Sequence, residues 1–145
     1  MIALDTNILV YAADVKERRV QAQSLVRNAA VAGGIIPAQV LAEFTNVCRR
    51  KLDLDAAAIA RLLAQFRAAF PSPSTTADDV IAAAHCAHRY QLAYFDALIC
   101  TVARNAGATT LLSEDMQDGG SINGVRILNP FNVANAATLN ALFAT

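Results

Sequence analysis

The strongest constraint on this chain is the alternation of short apolar runs with longer stretches of helical periodicity. Ile2-Ala3-Leu4 stops at Asp5, and Asp5-Thr6-Asn7 supplies capping side chains ahead of Ile8-Leu9-Val10-Tyr11, which reads as a strand followed by a helix. From about Lys16 to Ala32, Val20, Leu25 and Val26 mix with Arg18, Arg19, Gln23 and Arg27 at helical spacing until Gly33-Gly34. A second short strand is expected at Gly34-Ile35-Ile36-Pro37. Helices follow around Val40, Phe44, Val47 and Cys48, and from about Asp55 to Phe70, where Ile59, Leu62, Leu63 and Phe66 share a face until Pro71-Ser72-Pro73-Ser74.

Thr76-Ala77-Asp78-Asp79 reads as the cap of a helix through His88, and Phe95-Asp96-Ala97-Leu98-Ile99 opens another that closes at Gly107. Thr109 to Leu112 and Val125-Arg126-Ile127-Leu128 are expected strands, with Gly119 to Gly124 a loop between them, and Asn129-Pro130 precedes an Ala-rich helix. Strands alternating with helices predict an α/β fold with a parallel sheet covered on both faces. With 145 residues, 55% of them hydrophobic, and no repeat or linker, one domain spanning 1–145 is expected.

Twelve Lys and Arg balance twelve Asp and Glu, which excludes a basic tail or polybasic anchor, so any nucleic-acid contact must rest on a local patch. No apolar run approaches the roughly 18 residues of a membrane span. Met1-Ile2-Ala3-Leu4-Asp5 has no basic segment ahead of an apolar one, so a cytoplasmic protein without membrane contact is expected. Cys48, Cys86 and Cys100 form no C-x-x-C pair and read as reduced core thiols.

In parallel α/β sheets ligands gather beyond the carboxyl ends of strands, where Asp5 and Asp115 fall. Glu43, in Val40-Leu41-Ala42-Glu43-Phe44, and Asp96, between Phe95 and Ala97-Leu98, are acids in apolar frames. A lone acid at an element end is usually a cap or a solvated side chain. Four such acids favour another explanation: clustered carboxylates resist ionisation unless a cation neutralises them, and hard oxygen ligands select magnesium or manganese over zinc. Arg49-Arg50-Lys51 lies just beyond Glu43, with Arg50 two turns away on roughly its face, a candidate for binding a phosphate backbone. Arg18, Arg19 and Arg27 offer a second rim or merely a solvated face, and Tyr11 and Tyr94 either stack bases or pack in the core. His85-Cys86-Ala87-His88 lacks a second cluster to complete zinc ligation, and its neighbouring residues do not face one another on a helix.

Leu4-Asp5-Thr6-Asn7, Glu43, Phe95-Asp96-Ala97-Leu98-Ile99 and Leu111-Leu112-Ser113-Glu114-Asp115 together resemble the PIN-domain ribonucleases. The last two motifs, extended through Met116-Gln117-Asp118-Gly119, resemble the VapC-type toxins of type II toxin-antitoxin modules, and the likeness spans nearly the whole chain. It implies a PIN-like three-layer α/β/α sandwich around a central, mainly parallel sheet of four to five strands. It also implies a Mg2+- or Mn2+-dependent endoribonuclease with Asp5, Glu43, Asp96 and Asp115 as the catalytic, metal-binding acids for one or two ions. Thr6 and Ser113 would support them as hydroxyls, Asn7 as a neighbouring partner and Asp118 as an auxiliary acid, whereas Glu114 and Asp118 also read as solvated loop acids. An activated water would attack the RNA phosphodiester in line, leaving a 5′-phosphate and a 3′-hydroxyl. The implied partners are RNA, a cognate antitoxin reaching an Arg toward the carboxylates, and a second copy in a homodimer to which residues Phe131 to Phe143 could contribute.

Two rivals remain on the sequence. A magnesium-dependent phosphatase of the haloacid dehalogenase type also begins with a strand-end Asp, and Asp115 with Asp118 could imitate its later motif. Asn7, however, replaces its second acid, and neither Lys16 nor Lys51 is suitably placed. A non-catalytic partner-binding protein would use the acids only as caps, and metal-dependent cleavage separates it from an enzyme.

Overall fold

The computed structural model describes residues 1–144 and places the first apolar run in strand β1 (Ile2–Leu4), with all three side chains buried. Helix α1 (Thr6–Ala13) follows at once because Asp5 is its N-cap, its carboxylate accepting from the Thr6 amide. Then come α2 (Arg19–Val31), α3 (Ala38–Arg50), α4 (Ala56–Ala69), α5 (Ala77–Tyr90) and α6 (Tyr94–Asn105). The chain continues through β2 (Thr110–Leu112), β3 (Ser121–Ile122), β4 (Val125–Leu128), a single 3-10 turn (Val133–Asn135) and α7 (Ala136–Phe143).

The sheet has four strands in the order β1-β2-β4-β3, parallel except for β3. Leu4 lies beside Leu112, and Leu112 beside Leu128, so the carboxyl ends of the three parallel strands are level. That register places Asp5 and Ser113 side by side one residue further on, with the Asp5 amide donating to Leu112 O at 3.0 Å and the Ser113 amide to Leu128 O at 3.1 Å. The α/β sandwich with a mainly parallel sheet, expected from the alternation of elements, is present with the smaller of the two strand numbers.

Two local expectations are corrected. Gly34-Ile35-Ile36-Pro37 is no strand but a single parallel bridge from Ile35 to Ala3. The Ile36 amide turns away to Pro71 O at 3.1 Å, and Pro37 has no amide to extend the ladder. Conversely, the expected loop from Gly119 to Gly124 contains β3, joined to β4 by Asn123-Gly124, both at positive φ (50° and 84°), the backbone of a type I′ hairpin turn.

Helix α6 is buried continuously from Ala97 to Ala103. Ala97, Ile99, Cys100 and Ala103 join the main core, while Leu98 and Val102 meet Ala83 of α5 and Tyr94. On the other helices a stripe suffices: Val40, Phe44 and Cys48 on α3 face Ile59 and Phe66 on α4, with the Phe44 and Phe66 rings edge to face at 5.2 Å. The Thr76 cap is a full capping box, because Thr76 Oγ1 accepts from the Asp79 amide and Asp79 Oδ2 accepts from the Thr76 amide. All three cysteines are buried free thiols, as expected. Phe131, Leu139, Leu142 and Phe143 pack onto the chain's own core. Among the described residues no helix is long and apolar enough to cross a membrane.

Gly34 shows how tightly β1 is held. Helix α2 ends in a Schellman motif, with the Gly34 amide on Ala29 O at 2.8 Å and the Gly33 amide on Ala30 O at 3.2 Å, and Gly33 takes φ 72°. A Cβ on Gly34 would lie 2.8 Å from Ala29 O and 3.2 Å from Ile2 O, both backbone atoms. Gly34→Ala should therefore destabilise the protein by about 1–3 kcal/mol in urea titration; an unchanged midpoint would contradict this close packing.

Candidate active site

Asp5 is almost fully buried, at 5% exposure, at the end of β1. Its Oδ1 accepts from the Thr6 amide and its Oδ2 from Ser113 Oγ, each at 2.7 Å, so the strand register supplies both donors. Thr6 turns its hydroxyl the other way and donates to Glu43 Oε2 at 2.7 Å, tying the first motif to the middle of α3.

The other oxygen of Glu43 is also taken. Gln39, one turn earlier on α3, donates from Nε2 to Glu43 Oε1 at 2.8 Å and to the Phe95 carbonyl at 3.1 Å. Gln39 thus links Glu43 to the first turn of α6, where Asp96 sits. Sequence reasoning missed Gln39, although its i, i+4 spacing to Glu43 was the available signal. Its Oε1 is buried without a hydrogen-bond partner.

Asp115 is exposed beyond β2, and Asn7 donates to its Oδ2, so Asn7 is indeed a direct partner of an acid. Glu114 accepts from the Tyr11 hydroxyl and pairs with the Arg18 guanidinium, which lies 5.1 Å from the Tyr11 ring centroid and 4.8 Å from that of Phe131. Asp118 accepts from the Asn129 amide and from the side chains of Asn132 and Asn135, all at 2.9 Å. These last two acids are thereby committed to partners within the chain.

Electrostatics separates the acids sharply. Burial is the main cause that pushes the Asp5 pKa from 3.8 to about 6, against the lowering effect of Ser113 and Thr6, with Asp96 and Asp115 adding repulsion. Burial likewise raises Asp96, helped by the charges of Glu43 and Asp115. For Glu114, burial acts upward, but Tyr11 and Arg18 outweigh it and hold the carboxyl below its ordinary value. Among the described residues ion pairs join only Lys16 to Asp14 and Arg18 to Glu114, so Asp5, Glu43, Asp96 and Asp115 have no cationic partner.

That donor set fits an oxygen-seeking divalent cation: all carboxylate, no thiolate or imidazole, and uncompensated charge. Among the described residues no three such side chains gather closely enough to cage a metal by themselves. Mg2+ does not require a cage, since it ordinarily keeps several waters and uses one or two carboxylates with substrate phosphates. Arg49, Arg50 and Lys51 are exposed in and just beyond the last turn of α3; Arg50 and Lys51 line a surface cleft of about 440 Å³ with Asn46 and Val47. Tyr94 donates to Val80 O and packs on α5, and Tyr11 is enclosed by Arg18 and Phe131, so both rings serve the chain's own packing. His85 and His88 are exposed whereas Cys86 is buried, so they share no site.

A carboxyl whose pKa is higher folded than unfolded binds protons preferentially in the native state between the two values. For Asp5 the resulting penalty is absent below about pH 4 and complete above about pH 6, reaching about 3 kcal/mol. An Asp5→Asn chain keeps an acceptor for the Thr6 amide and turns an amide N–H donor toward the Ser113 hydroxyl oxygen, without the charge. Its metal-free stability relative to wild type should therefore rise by up to about 3 kcal/mol from pH 4 to pH 7, measured by denaturant unfolding; a difference independent of pH would contradict the buried charge.

Comparison with known proteins gives a consistent result. A sequence comparison with curated proteins yields no match. Among solved structures, the VapC20 toxin of Mycobacterium tuberculosis, which cleaves the sarcin-ricin loop, is similar with a TM-score of 0.67 and 19% identity, covering 79% of this chain and 90% of that one. A chain of a toxin-antitoxin complex from Klebsiella pneumoniae gives 0.65 at 18% identity, covering 92% and 100% respectively. VapBC2 of Rickettsia felis, bound to a DNA fragment from its promoter, gives 0.61 at 22% identity, covering 89% and 98%. At these identities the likeness is one of fold. The PIN domain model matches residues 2–117, which include the strand-end Asp5, Glu43, Asp96 and Asp115, and the chain belongs to the PIN domain family.

Proposed function

We propose that this protein is a metal-dependent endoribonuclease of the VapC toxin type, restrained by a cognate antitoxin. The observation that carries the reading is the acidic edge: Asp5, Glu43, Asp96 and Asp115 come from four separate parts of the chain, the first two and Asp115 are set by neutral donors, and, among the described residues, none of the four is offset by a cation. A fold maintained for stability alone gains nothing from such uncompensated charge.

Asp5, Glu43, Asp96 and Asp115 would hold one or two Mg2+ or Mn2+ ions; when bound, such a cation supplies charge neutralisation and activates a water for attack in line at phosphorus. The chain's own residues do the rest. Ser113 and the Thr6 amide fix Asp5 while Thr6 Oγ1 and Gln39 fix Glu43, so neither carboxylate must reorganise when substrate arrives. Asn7 holds Asp115 at the open side. Arg49, Arg50 and Lys51 would neutralise RNA phosphates flanking the cut, supported by their exposure and lack of acidic partners.

The neighbours from Klebsiella pneumoniae and Rickettsia felis are toxin-antitoxin assemblies, which supports an antitoxin here. An Arg from such a partner would find uncompensated negative charge at this edge, with Asp96 and the exposed Asp115 the acids open to a guanidinium. Within the segment from Phe131 to Phe143, Phe131, Leu139, Leu142 and Phe143 pack onto the chain's own core, whereas Val133 and most of the residues between them are exposed and would be the part open to a second copy in a homodimer. Asp118 is not retained as an auxiliary acid, since its oxygens serve Asn129, Asn132 and Asn135. Nor is the phosphatase alternative retained, given the family to which the chain belongs.

Purified protein incubated with a total RNA pool should cut it in Mg2+ or Mn2+ and not in a chelator, leaving 5′-phosphates. Asp96→Asn should lower the rate by at least about a hundredfold. A 2′,3′-cyclic phosphate at the cut, or cleavage indifferent to both metal and Asp96, would contradict the mechanism.

A further inference from the structure

The loop of residues 113–118 carries Asp115 between two other acids that already have partners. On one side Glu114 is gripped by Tyr11 from α1 and by Arg18 from the α1–α2 junction, and Arg18 is itself stacked against Tyr11 and Phe131. The two rings meet edge to face at 5.4 Å, and the guanidinium lies against both of them. On the other side Asp118 receives the Asn129 amide, Asn132 Nδ2 and Asn135 Nδ2, and Asn135 Nδ2 also reaches Asn129 O at 3.0 Å. Between them, Ser113 Oγ donates to Asp5 and accepts from the Met116 amide at 3.4 Å. Asp115, the exposed acid in the middle, has Asn7 as its partner.

We propose that Arg18 and the Asn129-Asn132-Asn135 trio are positioning residues that clamp this loop from both sides and aim Asp115 at the cation site. The inference rests on reading Asp115 as a cation ligand, and it gives Arg18 a role other than contact with RNA. Both grips draw on residues beyond the PIN domain match, which ends at residue 117: Phe131 under Arg18, and the three asparagines on Asp118. The C-terminal segment thus acts as a brace for the acidic edge. The same grips withhold Glu114 and Asp118 from the cation, leaving one acid of the loop free to bind it. A side chain that orients a metal ligand through one intermediary commonly controls affinity by ten- to a hundredfold.

The test uses the whole protein with three changes. Arg18→Met keeps the apolar stem and loses the grip; Arg18→Lys keeps the charge but not the planar fork; Asn135→Ala loosens the opposite side and serves if an Arg18 variant fails to fold. In metal-free protein, amide hydrogen exchange at Ser113, Met116 and Gly119 should speed up about tenfold in Arg18→Met and Asn135→Ala, with buried amides of α6 unchanged. Mn2+ dissociation constants from calorimetry should rise about tenfold in both, with partial recovery in Arg18→Lys. In the Asp115→Asn background neither change should weaken Mn2+ further. RNA cleavage by Arg18→Met should be restored by raising Mn2+ with the KM for RNA unchanged; a raised KM that Mn2+ does not rescue would make Arg18 an RNA contact and overturn the clamp. The two failures look different. A wild type that binds no Mn2+ removes the nuclease reading and the aiming role together, whereas a wild type that binds it, with variants that bind it equally well and exchange unchanged, removes the clamp alone.

Discussion

The Asp5 carboxylate stands at the end of a buried strand with two hydrogen-bond donors and no cation, an arrangement that the sheet itself imposes. Because β1 and β2 pair in parallel with Leu4 beside Leu112, the residue after each strand emerges on the same row, and Ser113 meets Asp5. The helix that starts at Thr6 supplies the second donor as an ordinary cap and sends its first hydroxyl to Glu43. Two donors are insufficient to offset burial, and the pKa of Asp5 remains near 6. The fold therefore carries a charge that it does not neutralise from within, and the rest of the edge is arranged around that deficit.

Neutral donors, not opposite charges, hold Asp5, Glu43 and Asp115 in place. Gln39, Thr6, Ser113 and Asn7 can orient carboxylates without competing for the cation's position, which a lysine or arginine would do. The contrast with Glu114 is instructive. There the chain does provide a guanidinium, and the carboxyl falls below its ordinary value and becomes part of the scaffold. Two adjacent acids in one loop thus differ in their partners, a guanidinium for Glu114 and a neutral amide for Asp115.

Much of this was legible in the sequence. Apolar runs ending at Asp5 and Ser113 identified the strands and their carboxyl edge, and the acids in apolar frames, Glu43 and Asp96, stand out in the sequence itself. Short-range signals failed where tertiary partners decide. Ile35 and Ile36 have the composition of a strand, but the chain at Pro71 captures the next amide. The Asn123-Gly124 pair was a legible hairpin signal, obscured by the neighbouring glycines and by a strand of only two residues. Gln39 is visible as a helical neighbour of Glu43 only once Glu43 is known to need a donor. The Arg18–Glu114 contact joins residues 96 positions apart and becomes apparent only in the folded chain.

If the acidic edge is a cation site, its electrostatics should change when a cation arrives. The direct measurement is the titration of the Asp5 carboxyl by carbon-13 NMR, without and with saturating Mg2+. The expected result is a midpoint near pH 6 in the metal-free protein that falls by about one unit or more when Mg2+ binds. A midpoint that Mg2+ leaves unmoved would contradict the cation site.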